Sequence, residues 1–338
     1  MTHADPTNSD PDLSDFHLSD LQHRQPAGLT DADHARIAAA HAAARTASTR
    51  TVYRYAWRQW QRWCADRGLP ALPGDPAAVC AYLADRAAHG TTIATLDVAC
   101  SAIGHQHRSH GLANPTTDES VRQVRAGLRR TYGTSPQRQA RPLSVPEIRQ
   151  LIDHIDQTRP IGVRDTAIIL LGYAGALRRS ELVALTLADL EHHTAGLLLN
   201  IRPSKTDQDA RGQVVGIAHG QHPATDPIAA LDAWLTHRGR QPGPLFTRVY
   251  ATRIHADPLT GNTITRMLHA RAAAAGLPAE RITAHSLRAG HATTAALAGV
   301  PLERIAAQTR HRDISVLIER YIRPLDALAT TSSRDLGL

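Results

Sequence analysis

Of the 38 lysine and arginine residues in this chain, one is lysine: Lys205, in the run Arg202-Pro203-Ser204-Lys205-Thr206-Asp207. Wherever a positive charge alone was needed, arginine supplies it. A guanidinium does not release its proton in a protein, whereas a lysine amine can be tuned toward neutrality and can pass one. Lys205 is therefore a candidate proton donor, against the plainer reading of a surface charge that happened to stay lysine. A second group lies downstream in Thr283-Ala284-His285-Ser286-Leu287-Arg288. His285 and Arg288 are three residues apart at a helix start, a spacing that puts both side chains on one face. His311 follows, then Tyr321, the last tyrosine of the chain. Upstream stands Arg178-Arg179-Ser180-Glu181, between an apolar helical segment and a new helical start. Taken singly, each piece is weak: a His-x-x-Arg arises by chance, a lone tyrosine packs, and Glu181 three residues after Arg178 also suits a helix N-terminus.

Charge narrows the class of partner. The formal net charge is +7, but residues 1–33 hold seven Asp against one Arg, which leaves +13 on the remainder. A basic body of that kind calls for a polyanion, most simply nucleic acid, with affinity that falls steeply with salt. No apolar run approaches the roughly 18 residues a membrane span needs, and no secretory signal pattern opens the chain. Membrane partners are not expected. Cys64, Cys80 and Cys100 lack metal-site spacing and read as reduced thiols of a cytoplasmic protein. The 20 histidines, including His105, His107, His192 and His193, read as solvated or core side chains.

The elements that must position these residues follow from periodicity. Residues 1–30 are polar and aperiodic, an acidic tail expected to be disordered. Residues 31–132 carry four or five helices. In the helix expected over 49–67, Val52, Tyr53, Ala56, Trp57, Trp60 and Trp63 form one stripe, which reads as core. Asp75-Pro76 opens another helix, and further ones are expected over 92–111 and 118–132. Residues 133–142 are polar, basic and free of apolar periodicity, the clearest linker in the chain. The second domain, 143–338, opens on the capping box Ser144 to Glu147. It continues through an apolar helix over 164–175. Two short β runs at 197–201 and 214–217 form a hairpin whose connection holds Lys205. Helices are expected again over 226–239, 260–275, 286–298, 301–308 and 314–322.

Taken in order and spacing, Arg178, Lys205, His285, Arg288, His311 and Tyr321 resemble the tyrosine recombinase (phage integrase) family, over roughly 143–326 at the level of motifs. The resemblance implies a mainly α fold with a small β-hairpin or sheet in the catalytic domain. It also implies a two-domain, C-shaped DNA clamp, the helical domain at 31–132 being the core-binding part. It implies a site-specific recombinase that cuts and rejoins DNA through a 3′-phosphotyrosyl intermediate, with no metal and no other cofactor. Tyr321 then matches the nucleophile, Arg178 and Arg288 the clamp on the non-bridging phosphate oxygens, and Lys205 the donor to the leaving 5′-oxygen. His285 matches the acid/base partner near the tyrosine, His311 a phosphate donor, and Glu181 a supporting carboxylate. The partners implied are double-stranded DNA with specific recombination sites, a homotetramer in the synaptic complex, and an accessory directionality factor. Leu325, Leu328 and Leu336 are candidates for anchoring the C-terminus on a neighbouring protomer.

Two departures from the family pattern stand out. Arg310 occupies the place before His311 where the family most often has glycine, and Tyr321 follows His311 by ten positions, one more than the family pattern. Arg179 and Arg310 are expected to make simple phosphate contacts, while Arg266 and Arg271 are candidate base readers. Two rival readings come from other classes. A type IB topoisomerase would use the same side chains to relax DNA as a single protomer. A non-catalytic helix-turn-helix protein would use residues 286–308 only to bind.

Overall fold

The structure, a computed structural model, describes residues 30–43, 46–134, 140–202, 212–311 and 313–318, with residues 331, 333 and 336. Lys205, Tyr321, Leu325 and Leu328 lie outside the described residues. The chain divides into two compact units, residues 1–136 and 137–338.

In the first unit the described residues form α1 (Asp31–Ala43), α2 (Ala47–Ala65), α3 (Pro76–Ala88), α4 (Ile93–Ser109) and α5 (Glu119–Tyr132). The caps are those the side chains favour. Thr46, Asp75, Thr92 and Asp118 each accept a backbone N–H of the first turn, and Pro76 sits where its missing N–H costs nothing. The tryptophan stripe of α2 is core: Trp57, Trp60 and Trp63 are buried, and Trp60 and Trp63 meet Tyr82 edge to face. Both buried indoles are satisfied, Trp60 Nε1 donating to Ala71 O at 3.0 Å and Trp63 Nε1 to Asp85 Oδ2 at 2.8 Å. His107 is a core histidine. Its Nδ1 donates to Ile103 O at 2.8 Å and its Nε2 accepts from the Gly74 N–H at 2.8 Å. Burial holds it below the ordinary histidine range. On α4, Asp97 receives both Arg125 and Arg129 of α5, at 2.7 and 3.0 Å.

The second unit opens on α6 (Val145–Asp153), whose capping box has both halves in place: Ser144 accepts from the Glu147 N–H, and Glu147 accepts from Ser144. Its centre is α7 (Pro160–Ala174), buried continuously from Gly162 to Gly172, as an apolar sequence without a polar face requires. After α8 (Arg179–Ala184) comes an antiparallel sheet of β1 (Leu190–His193), β2 (Gly196–Ile201) and β3 (Gln213–Ala218) in that order. Leu197, Leu199 and Ile201 alternate inward along β2, and Leu199 pairs with Val215. The expected hairpin is thus present, and its connection carries Lys205. Then follow α9 (Pro227–Arg238), the hairpin β4 (Thr247–Tyr250) and β5 (Arg253–Pro258), α10 (Gly261–Ala274), α11 (Ala284–Leu297), α12 (Leu302–Thr309) and the short α13 (Ile314–Leu317). No described helix is long and apolar enough to cross a membrane.

Two close packings hold the frame of the site. On α7, Asp165 accepts Arg164 through one oxygen and Arg271 of α10 through the other, at 2.6 and 2.7 Å. Arg271 is therefore committed to an internal ion pair, which corrects its reading as a base reader; Arg266, one turn earlier, is exposed. On α11, Gly290 lies against the backbone of Leu143, and Leu143 N–H donates to Ser286 O at 3.2 Å. A Cβ at 290 would overlap the Leu143 carbonyl and stand 2.8 Å from Tyr173 Cε2. Gly290→Ala is accordingly expected to lower stability by about 1–3 kcal/mol, as overpacking does, read as a lower denaturation midpoint in urea.

Candidate active site

The chain segments that carry Arg178, Glu181, Arg288 and His311 meet within the second unit. All four are tied directly to the loop between α7 and α8 or to the end of α12. Arg178 stands at the N-cap of α8, where its backbone N–H donates to Glu181 Oε2 at 2.8 Å. Its guanidinium donates to Glu181 Oε1 at 2.6 Å and to the carbonyl of Arg310 at 3.0 Å. Glu181 is thus both a helix cap and an ion-pair partner. Arg288, on the buried face of α11 and 2% exposed, donates to Ala176 O at 2.8 Å and approaches His311 Nε2 at 3.4 Å. His285, one turn earlier on α11, is exposed, and its charge acts on His311.

The backbone supporting this cluster is strained at two points. Ala176 and Arg310 have φ of 46° and 56°, in the left-handed region that costs a residue with a Cβ about 1–2 kcal/mol. Both carbonyls are put to use. Ala176 O accepts from Arg288 and Arg310, and Arg310 O accepts from Arg178.

Arg310 departs most from expectation. It is 8% exposed, with its guanidinium turned inward. It donates to Gly175 O, Gln308 O, Ala176 O and Glu181 Oε2, at 3.1, 2.7, 2.9 and 2.7 Å. The expectation of a simple phosphate contact is corrected. The side chain is an internal partner of Glu181, because a buried carboxylate needs compensation that surface water cannot give. Arg179 is exposed, beside Thr265 at the start of α10, so the two adjacent arginines serve different ends. Gln308, which the sequence did not single out, bridges Ala174 O and Gly216 O at 3.1 and 2.9 Å, tying α12 to α7 and β3.

Among the described residues, three guanidiniums, those of Arg178, Arg288 and Arg310, gather around one carboxylate, Glu181. Glu181 responds as expected. Burial would raise its pKa, but Arg310 and Arg178, with the Arg178 N–H, bring the balance below the ordinary glutamate range. His311 is also pushed down, to about 4, first by burial and then by Arg288, Arg178, His285 and Arg310. Its ring is neutral near pH 7, and its hydrogen bonds define the tautomer. Thr309 Oγ1 donates to Ile305 O at 2.6 Å, so it accepts from His311 Nδ1 at 2.7 Å, and Nε2, without a proton, accepts from Arg288 at 3.4 Å.

A depressed histidine pKa makes the fold acid-sensitive. Below about 6.5, the ordinary value, the unfolded chain takes up a proton that native His311 refuses. Stability should therefore be complete above that pH and decline as pH falls toward about 4. Urea midpoints from pH 7 to 4 should fall more steeply for the wild type than for His311→Gln.

Residues 142–327 match the phage integrase family. An integrase/recombinase XerD homolog of Selenomonas ruminantium is 30% identical over 281 residues, covering 81% of each chain. Tyrosine recombinase XerC 1 of Ralstonia nicotianae is 33% identical over 153 residues, 43% of this chain and 45% of that one. Among solved structures, a lambda integrase dimer bound to a COC′ core site has a TM-score of 0.58 at 18% identity, covering 80% of this chain and 71% of the other. The Tn1549 transposon integrase in complex with transposon right end DNA also reaches 0.58, at 15% identity, covering 88% of this chain and 96% of that one. At such identities the likeness concerns the fold: mainly helical, with small antiparallel sheets.

Proposed function

Because the chain belongs to the phage integrase family, and is a tyrosine-type site-specific recombinase that cleaves and rejoins DNA, we propose that Tyr321 attacks the scissile phosphate while Arg178 and Arg288 hold its non-bridging oxygens. The observation that supports this assignment is the meeting of Arg178, Arg288 and His311 in one cluster. Negative charge grows on the non-bridging oxygens as the phosphorus becomes five-coordinate, and fixed guanidiniums stabilise it without reorganising. No step of this mechanism calls for a metal or another cofactor.

In the proposed reaction the Tyr321 phenol loses its proton and its oxygen bonds to phosphorus. The bond to the 5′-oxygen breaks, and that oxygen takes a proton from Lys205. The product is a 3′-phosphotyrosyl link and a free 5′-hydroxyl, and the reverse attack rejoins the strand. His285, exposed beside the cluster, serves as the acid/base partner of the tyrosine. His311 enters as a neutral ring. The bound phosphate offsets the cations around it and raises its pKa, so that Nε2 can gain a proton and donate it as a hydrogen bond. Glu181 orients Arg178.

DNA carrying recombination sites is the substrate, gripped by the helical domain at 31–132 and the catalytic domain from 143, with 133–142 as linker. Exchange of strands between two sites requires four protomers, and direction is set by an accessory factor. The place of action is the cytoplasm, on the nucleoid. The runner-up, relaxation by a single protomer, separates from exchange by its product.

The test is covalent trapping. Supercoiled DNA carrying the sequence that flanks the gene is incubated with the protein in EDTA and quenched in SDS. An adduct to a 3′-phosphate, mapped to Tyr321 by peptide mass, is expected, with joined products that contain two sites. An adduct on another residue would overturn the assignment of Tyr321, and no adduct with tight binding retained would overturn it in favour of the DNA-binding alternative. Relaxed circles without joined products would favour the topoisomerase reading.

A further inference from the structure

Arg310 occupies a backbone position made for glycine. It ends α12 in a Schellman arrangement: His311 N–H returns to Ala306 O at 3.1 Å, Arg310 N–H returns to Ala307 O at 3.2 Å, and Arg310 itself is left-handed. A residue with a Cβ persists there only if its side chain contributes more than the conformation costs. The Arg310 side chain makes four hydrogen bonds, three to carbonyls and one to Glu181.

The consequence concerns Arg178. Glu181 has two oxygens and two guanidinium partners, Arg178 on Oε1 and Arg310 on Oε2. With Arg178 as sole partner, the pair would be neutral toward an incoming phosphate. With Arg310 as counter-ion, the carboxylate still orients Arg178, and the Arg178 charge stays unspent. The carbonyl of the same Arg310 holds the other end of the Arg178 guanidinium at 3.0 Å. We propose that Arg310 is a positioning residue of the cleavage reaction, acting through Glu181 and its own carbonyl to hold Arg178 in place and keep its charge available to the phosphate. This rests on the reading of Arg178 as a phosphate clamp.

The substitutions Arg310→Gly and Arg310→Lys separate this role from packing. Glycine keeps the left-handed backbone and its carbonyl but removes the counter-ion; lysine keeps the charge. Cleavage of a nicked substrate that traps the adduct is measured under single turnover, together with DNA affinity and the NMR titration of the His311 ring. For R310G, affinity within a few-fold of wild type and cleavage slower by about 10- to 100-fold are expected, as for a misplaced catalytic group. The His311 pKa should rise from about 4 as a neighbouring cation is removed. R310K should recover part of the rate and return the titration toward that of the wild type.

R310G cleaving within about two-fold of wild type would overturn the proposal, by the same scale of misplacement effects. So would R310G and R310K cleaving equally slowly with an unmoved titration, the signature of a packing role. Should glycine prevent folding, R310K against the neutral R310M decides: equal rates overturn the proposal, and a faster lysine variant upholds it. Failure of the wild type to form any adduct would refute the recombinase assignment of Tyr321, while the titration would still report whether Arg310 sits in the cluster.

Discussion

Alanine in place of Arg178 should slow strand cleavage by about 10³-fold, the upper end of what removing one preorganised donor costs. The side chain sits at the border of the site, 25% exposed, anchored at one end by Glu181 and at the other by the Arg310 carbonyl. Those two bonds fix the plane of the guanidinium before DNA arrives, so little ordering remains to be done when charge develops on the phosphate. Arg178→Lys should recover little, because a lysine ammonium is a point charge without the planar fork that meets both anchors and an oxygen pair. Overall DNA affinity should change only a few-fold, since many arginine–phosphate contacts share it. Single-turnover cleavage of a nicked substrate measures the first effect and a binding titration the second. Cleavage within ten-fold of wild type would show that Arg178 does not hold the phosphate, by the same scale for a lost donor.

The local parts of this fold were legible in the sequence because they depend on near neighbours. Asp75-Pro76 and Ser144 to Glu147 announce helix starts through groups within three residues, and both caps form as expected. The tryptophan stripe and the apolar 164–175 segment announce burial through their periodicity. Strand β1, Leu190-Glu191-His192-His193, was not legible: only pairing with β2 makes it a strand, and its side chains carry no alternation. The hairpin of β4 and β5 was missed for a similar reason, since 253–258 ends in Asp257-Pro258 and reads as a loop.

At the site, motif order marked Arg178, Glu181, Arg288 and His311, which come within hydrogen-bond reach of one another or of shared backbone groups. It did not reveal that Arg310 points inward. That depends on Glu181 being buried 129 positions earlier in the chain, a relation no local pattern expresses. One signal was available: an arginine at a C′ position, where the left-handed backbone favours glycine, implies a side chain held by something specific.

Glu181→Gln should lower the stability of the second unit by about 3–5 kcal/mol, the range for removing one partner of a buried ion pair. Glu181 is 5% exposed and Arg310 8%, so water cannot replace the lost charge. Glutamine is nearly the same size and can still cap the Arg178 N–H, which isolates the charge from the cavity. What remains is a buried Arg310 guanidinium facing a neutral amide, with Arg178 and Arg288 close by. For a unit of about 200 residues the loss amounts to roughly 10 °C in melting temperature. Acid should reproduce it. Since Glu181 is held below its ordinary pKa, its contribution is present above the unfolded value and lost as pH falls through the native one. The decisive comparison is with the double substitution Glu181→Gln/Arg310→Gly. If the cost of the single change is the stranded guanidinium, removing Arg310 as well should return part of the stability, and the two effects should be far from additive. Additive losses in urea denaturation would mean that Glu181 and Arg310 stabilise the fold independently, through the backbone groups each one binds.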